Sequence, residues 1–104
     1  MAFRGFVKLE DTATGMWQCK DTSNVPTAAS GSVTFRVYGP TGTLMNSGTG
    51  TATAVDAANI TGVYMFSKQA TAANGYESGK IYTVFFSATA GGQPRGGEVS
   101  FQVD

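Results

Sequence analysis

The chain has 104 residues, enough for one domain but too few for two self-sufficient cores. Seven basic and seven acidic side chains cancel to a formal net charge of zero, which leaves no long-range field to draw in nucleic acid or anionic membrane. The 41% hydrophobic share can fill a core, while the 13% charged share leaves a surface of Thr, Ser, Ala and Gly with little colloidal repulsion, a surface suited to packing against other subunits.

In chain order, residues 1–10 read as an N-terminal arm or edge strand and residues 11–104 as a single β-sandwich domain. Phe3, Phe6, Val7 and Leu9 do not alternate strictly because Gly5 interrupts them, so a bulge is expected. Turn residues Asp11 to Gly15 lead to a short strand at Met16-Trp17-Gln18-Cys19, where Trp17 points away from Met16 and Gln18 as an anchor for the core or for an interface. Residues 21–31 read as a loop, with Val25 held extended by Pro26. Residues 32–38 then alternate cleanly, with Val33, Phe35 and Val37 on one face.

Gly39-Pro40-Thr41-Gly42 is a tight turn that can return the chain into Thr43-Leu44-Met45 as a hairpin. Residues 46–55, rich in Thr, Gly and Ala, fit either a poorly packed edge strand or an ordered loop. A strand follows at Val63-Tyr64-Met65-Phe66, then one helical turn between Gln69 and Asn74, broken by Gly75. The longest strand, residues 79–88, carries Ile81, Val84, Phe85 and Phe86 and is apolar on both faces, as in a central strand or an oligomer contact. Residues 91–97 read as a flexible turn, and residues 98–103 as a last strand pairing antiparallel with the one before. No apolar leader follows Met1 and no run approaches a membrane span of about 18 apolar residues, so a soluble protein made in the cytoplasm is expected.

The residues that carry most enzyme chemistry are missing. There is no histidine, which removes the commonest general base and metal ligand together. Cys19 is the single cysteine, so no intrachain disulfide or thiolate cluster can form, and it reads as a small buried hydrophobe. Glu10 and Asp11 are adjacent, which on a strand sends them to opposite faces, and the remaining acids are scattered without a calcium-loop spacing. Gly75 to Lys80 fails as a phosphate loop because Ile81 stands where Ser or Thr is required. The expectation is no enzyme, no metal and no cofactor. If exposed, Trp17, Tyr38, Tyr64, Tyr76 and Tyr82 would suit sugar stacking, but core packing is favoured for Trp17 and Tyr64. Tyr64 and Tyr82 each follow a glycine at a strand start, where a ring enters the core and its hydroxyl bonds backbone.

The run from Gly31 through Val33-Thr-Phe35-Arg-Val37-Tyr-Gly39-Pro, then Gly62-Val-Tyr64, Gly79-Lys-Ile-Tyr82 and Val99-Ser-Phe101-Gln-Val103, resembles immunoglobulin-like modules of bacteriophage virion proteins and bacterial surface proteins. The resemblance covers about residues 31–103 and implies an all-β, immunoglobulin-like antiparallel β-sandwich of about seven strands, with an N-terminal arm. It also implies a virion structural protein made in the host cytoplasm, most simply a capsid decoration (cement) protein. Its partners would be the major capsid protein or other virion subunits, with a homotrimer at local threefold positions and no nucleic acid or membrane. The residues expected to reach a neighbour are Phe3, Arg4 and Phe6 of the arm, with Trp17 as a further anchor. The alternative is a carbohydrate- or receptor-binding sandwich of a tail, baseplate or bacterial surface protein.

Overall fold

The computed structural model describes residues 4–104. Seven strands form: β1 (Arg4–Val7), β2 (Thr12–Gln18), β3 (Val33–Tyr38), β4 (Leu44–Ala54), β5 (Val63–Gln69), β6 (Ile81–Ala90) and β7 (Gln93–Val103). Their order is β1-β7-β6-β3-β4-β5-β2. The first five make one layer, and β5 and β2 make the other. Strand β4 belongs to both: residues up to Ala52 pair with β3, whereas Thr53 and Ala54 pair with Met65 and Tyr64 of β5. The result is an all-β sandwich.

One pairing departs from the expected antiparallel arrangement, because β1 runs parallel to β7, with Arg4 opposite Ser100 and Val7 opposite Val103. Residues 8–11 carry the chain from β1 directly into β2 of the opposite layer, so no hairpin dictates the direction of this pairing. No bulge forms at Gly5, which stays in register opposite Phe101.

Alternation decides which side chains go inside. Val33, Phe35 and Val37 of β3, Tyr82, Val84 and Phe86 of β6, and Phe101 and Val103 of β7 are buried, and they face Phe66 and Ala13 of the second layer. Phe66 is 1% exposed, with ring centroids 5.6 Å from Phe35, 6.1 Å from Phe86 and 6.1 Å from Phe101. It is the one ring of the thin layer that touches three strands of the thick one. Gly15 lies beside it in β2, where a Cβ would stand 2.7 Å from the Phe66 ring, so the edge strand must be bare there.

Two tyrosines tie loops to this core. The Tyr82 hydroxyl, at the start of β6, accepts the Glu77 N–H at 2.8 Å, and the Tyr64 hydroxyl accepts the Ala29 N–H at 2.9 Å. Tyr76 packs 4.8 Å from Tyr82 with its own hydroxyl buried and unpaired. Burial, together with neighbouring Tyr82, pushes its pKa up to about 12, so it stays neutral. Before it, the chain makes a 3₁₀ turn at Ala72–Asn74, capped by the Thr71 hydroxyl, which accepts the Asn74 N–H, and closed by Gly75 at φ 92°.

Residues 12–15, expected as turn, are strand and open β2 in pairing with β5; the open choice at residues 46–55 and the long turn over 91–97 resolve as follows. Residues 46–54 are strand because the Phe35 ring covers Gly50 across the ladder, where a Cβ would stand 2.6 Å from the ring. A large neighbour thus supplies the packing that glycine lacks. The register slips between Arg36 and Tyr38, and Ser47 at φ 55° carries the extra chain. At the other end, the expected long turn over 91–97 shrinks to Gly91-Gly92, both at positive φ, with Ala90 already paired to Gln93. Such a two-residue turn matches strand twist, so the hairpin closes at once.

Because Phe66 joins the layers, Phe66→Ala is expected to cost about 3–5 kcal/mol, read as a lowered urea midpoint. A loss below about 1 kcal/mol would contradict the packing described.

Candidate interaction face

The outer face of the five-stranded layer carries exposed aromatic side chains. Strand register places Glu98 of β7, Phe85 of β6, Arg36 of β3 and Thr49 of β4 in one row across the sheet. The neighbouring row holds Ser100, Thr83, Tyr38 and Leu44. The Phe85-Phe86 doublet sends Phe86 inward and leaves Phe85 45% exposed in the middle of this face. Tyr38 meets it edge-on, with ring centroids 5.5 Å apart at 80°. Arg36 donates from Nε to the Tyr38 hydroxyl at 3.0 Å, its guanidinium carbon 6.0 Å from the ring centroid. Beside this pair lies an open depression of about 480 Å³ between Pro40, Thr83 and Glu98.

Of the residues expected to reach a neighbour, Arg4 and Phe6 share strand β1, and Trp17 lies apart from them on β2. Phe3 lies outside the described residues, and Arg4 takes its place in β1 opposite Ser100. Phe6 is 70% exposed, the most exposed large apolar side chain described, in a strand whose single partner is β7. Trp17 faces the opposite way, into the sandwich. Its indole stacks on Phe86 at 5.7 Å and lies over Gly97, where any side chain would collide with it. It is a packing residue between layers, half-buried, and Gly97 is the partner that makes room.

Of the aromatic residues that suit sugar stacking, Tyr76 and Tyr82 are each 1% exposed, and Tyr64 is spent on Ala29. Tyr38 alone stays on the surface, joined by Phe85, which the sugar-stacking reading of the sequence passes over. The available signal is the doublet itself: in a period-two strand, two adjacent phenylalanines cannot both be core.

The acids brace loops. Glu10, at φ 78°, accepts the Ala72 N–H at 3.0 Å; Asp21 accepts the Ser23 and Val25 N–H groups at 2.8 and 3.0 Å; and Asp56 accepts from Asn59. Among the described residues no three His, Cys, Asp or Glu side chains converge to hold a metal ion, and no helix is long and apolar enough to cross a membrane. Comparison with protein-family models, curated proteins and solved structures finds no match to this chain.

Cys19 is fully buried at the end of β2, and desolvation raises its pKa, with Arg95 partly opposing the shift. Burial and a disfavoured thiolate act together. Labelling of native protein by a disulfide reagent at pH 8 should therefore be at least about a thousandfold slower than in denaturant. A native rate within tenfold of the unfolded one would overturn this placement.

Proposed function

We propose that this chain is a non-enzymatic virion structural protein with an immunoglobulin-like sandwich, a capsid decoration (cement) subunit that stabilises contacts between coat subunits. The observation that carries the reading is Phe6, 70% exposed on edge strand β1. An edge strand offers unpaired backbone groups for another chain to extend, and an apolar side chain beside it supplies an anchor. The tyrosine at the start of β6, bonded back to the loop before it, supports the immunoglobulin-like assignment. Support also comes from the weakly charged composition, which sets no long-range barrier to close packing against a coat surface.

Arg4 and Phe6 belong to a strand hydrogen-bonded to the body of the domain, so the contact is made by a fixed edge together with whatever residues 1–3 add. A second reading, a sandwich that binds carbohydrate or a receptor, is favoured by the Tyr38–Phe85 pair with Arg36 beside it, since exposed aromatic faces stack on sugar rings.

The test is to look for a coat-protein gene beside the gene of this chain, co-express the two and sediment the assembled shells. The protein should travel with shells in a fixed ratio. Burying one phenylalanine is worth about 1.5–3 kcal/mol, so Phe6→Ser should weaken shell binding by tenfold or more while circular dichroism is unchanged. Deleting residues 1–3 should weaken it further without removing β1. Shells that sediment without the protein, together with glycan-array binding lost in Tyr38→Ala, would replace this reading with the second.

A further inference from the structure

The row Glu98–Phe85–Arg36 is complementary to itself. Strands β7, β6 and β3 are adjacent, and each step between neighbours is about 4.8 Å, so an acid and a base flank Phe85 at equal distances on either side. We propose that two copies of this chain pair face to face through the outer face of the five-stranded layer, about a two-fold axis running along β6. This pairing goes beyond the virion reading and holds whether or not the protein binds a shell.

A two-fold interface requires that if one residue meets a second, the second also meets the first. An axis along β6 places Phe85 against Phe85 of the other copy and puts each Arg36 opposite the other copy's Glu98. In the next row, Thr83 falls on the axis and Tyr38 faces Ser100. No like charges meet. An axis across the strands would instead put Arg36 on Arg36 and Glu98 on Glu98, a repulsive arrangement. Charge placement therefore selects one of the two simple ways to stack this face on itself. The chain's net charge of zero leaves no overall repulsion between copies.

The size of the face places the contact among small, reversible interfaces. Five strands span about 20 Å, and seven residues along them about 23 Å, giving roughly 450 Å² of footprint per copy. That is about 900 Å² for the pair, at the low end of specific interfaces. An interface this small belongs with weak, reversible encounters, so a dissociation constant of about 10–100 µM is the range to be tested. Phe6, two strands from the axis, sits at the rim, where the coat contact proposed above is made.

Sedimentation equilibrium of the full chain from about 1 to 500 µM, spanning that range, should show monomer passing to dimer. Arg36→Glu and Glu98→Arg should each weaken dimerisation at least tenfold, and the double variant carrying both reversals should return to within threefold of the original. Phe85→Ser should also weaken it at least tenfold, with circular dichroism confirming the fold of every variant. Four results would overturn the proposal: a monomer at the highest concentration, a trimer, single reversals without effect, or a double variant as weak as the singles.

Discussion

The packing of Phe66 against Phe35, Phe86 and Phe101 is the constraint on which the rest of this structure depends. Strands β2 and β5 form a thin layer that has few other large side chains to give to the core. From Phe66 a continuous chain of rings runs through Phe101 to Tyr82 and Tyr76 at one end, and through Phe86 to Trp17 at the other. Aromatic pairs of this kind add roughly 0.5–1.5 kcal/mol each beyond the area they bury. In a chain whose single cysteine cannot form an internal disulfide, that interior has to hold the layers together.

Several small residues follow from the rings. Gly15 clears Phe66, Gly50 clears Phe35, and Gly97 clears Trp17. Each glycine sits within a strand, where it would ordinarily weaken pairing. Each is offset by the aromatic side chain that takes the vacated space. The cost of the arrangement is that most aromatic residues are committed to the interior, so among the described residues few aromatic rings stay at the surface: Phe6 on one edge and the Tyr38–Phe85 pair on the outer face of the thick layer. Beside Phe85 on that face stand the charged residues Arg36 and Glu98, one on each neighbouring strand.

Strands with strict alternation were legible from residue order alone, since Val33, Phe35 and Val37 need no partner to declare a buried face. The same holds for the loop-bonding roles of Tyr64 and Tyr82, which follow from their positions at strand starts. Residues 46–54 were not legible, because the side chain that makes them a strand, Phe35, lies across the ladder and not within the segment. Composition misread residues 93–97 for the mirror reason: their glycines look like turn residues, and only contact with Trp17 and pairing with β6 show them to be strand. The parallel pairing of β1 was hidden as well, because nothing local dictates the partner of a strand that lacks a hairpin. The exposed aromatic face was half visible. The Phe85-Phe86 doublet announced a second apolar face, but the row that sets Glu98 and Arg36 on either side of it exists only once β7, β6 and β3 are in register.

The most direct test of this account is a nuclear Overhauser spectrum of the aromatic protons in uniformly labelled protein. Cross-peaks from the Phe66 ring to the rings of Phe35, Phe86 and Phe101, and from Trp17 to Phe86, are the expected pattern, since each joins a residue of the thin layer to one of the thick layer. A Phe66 ring in contact only with side chains of β2 and β5 would contradict the two-layer interior and everything built on it.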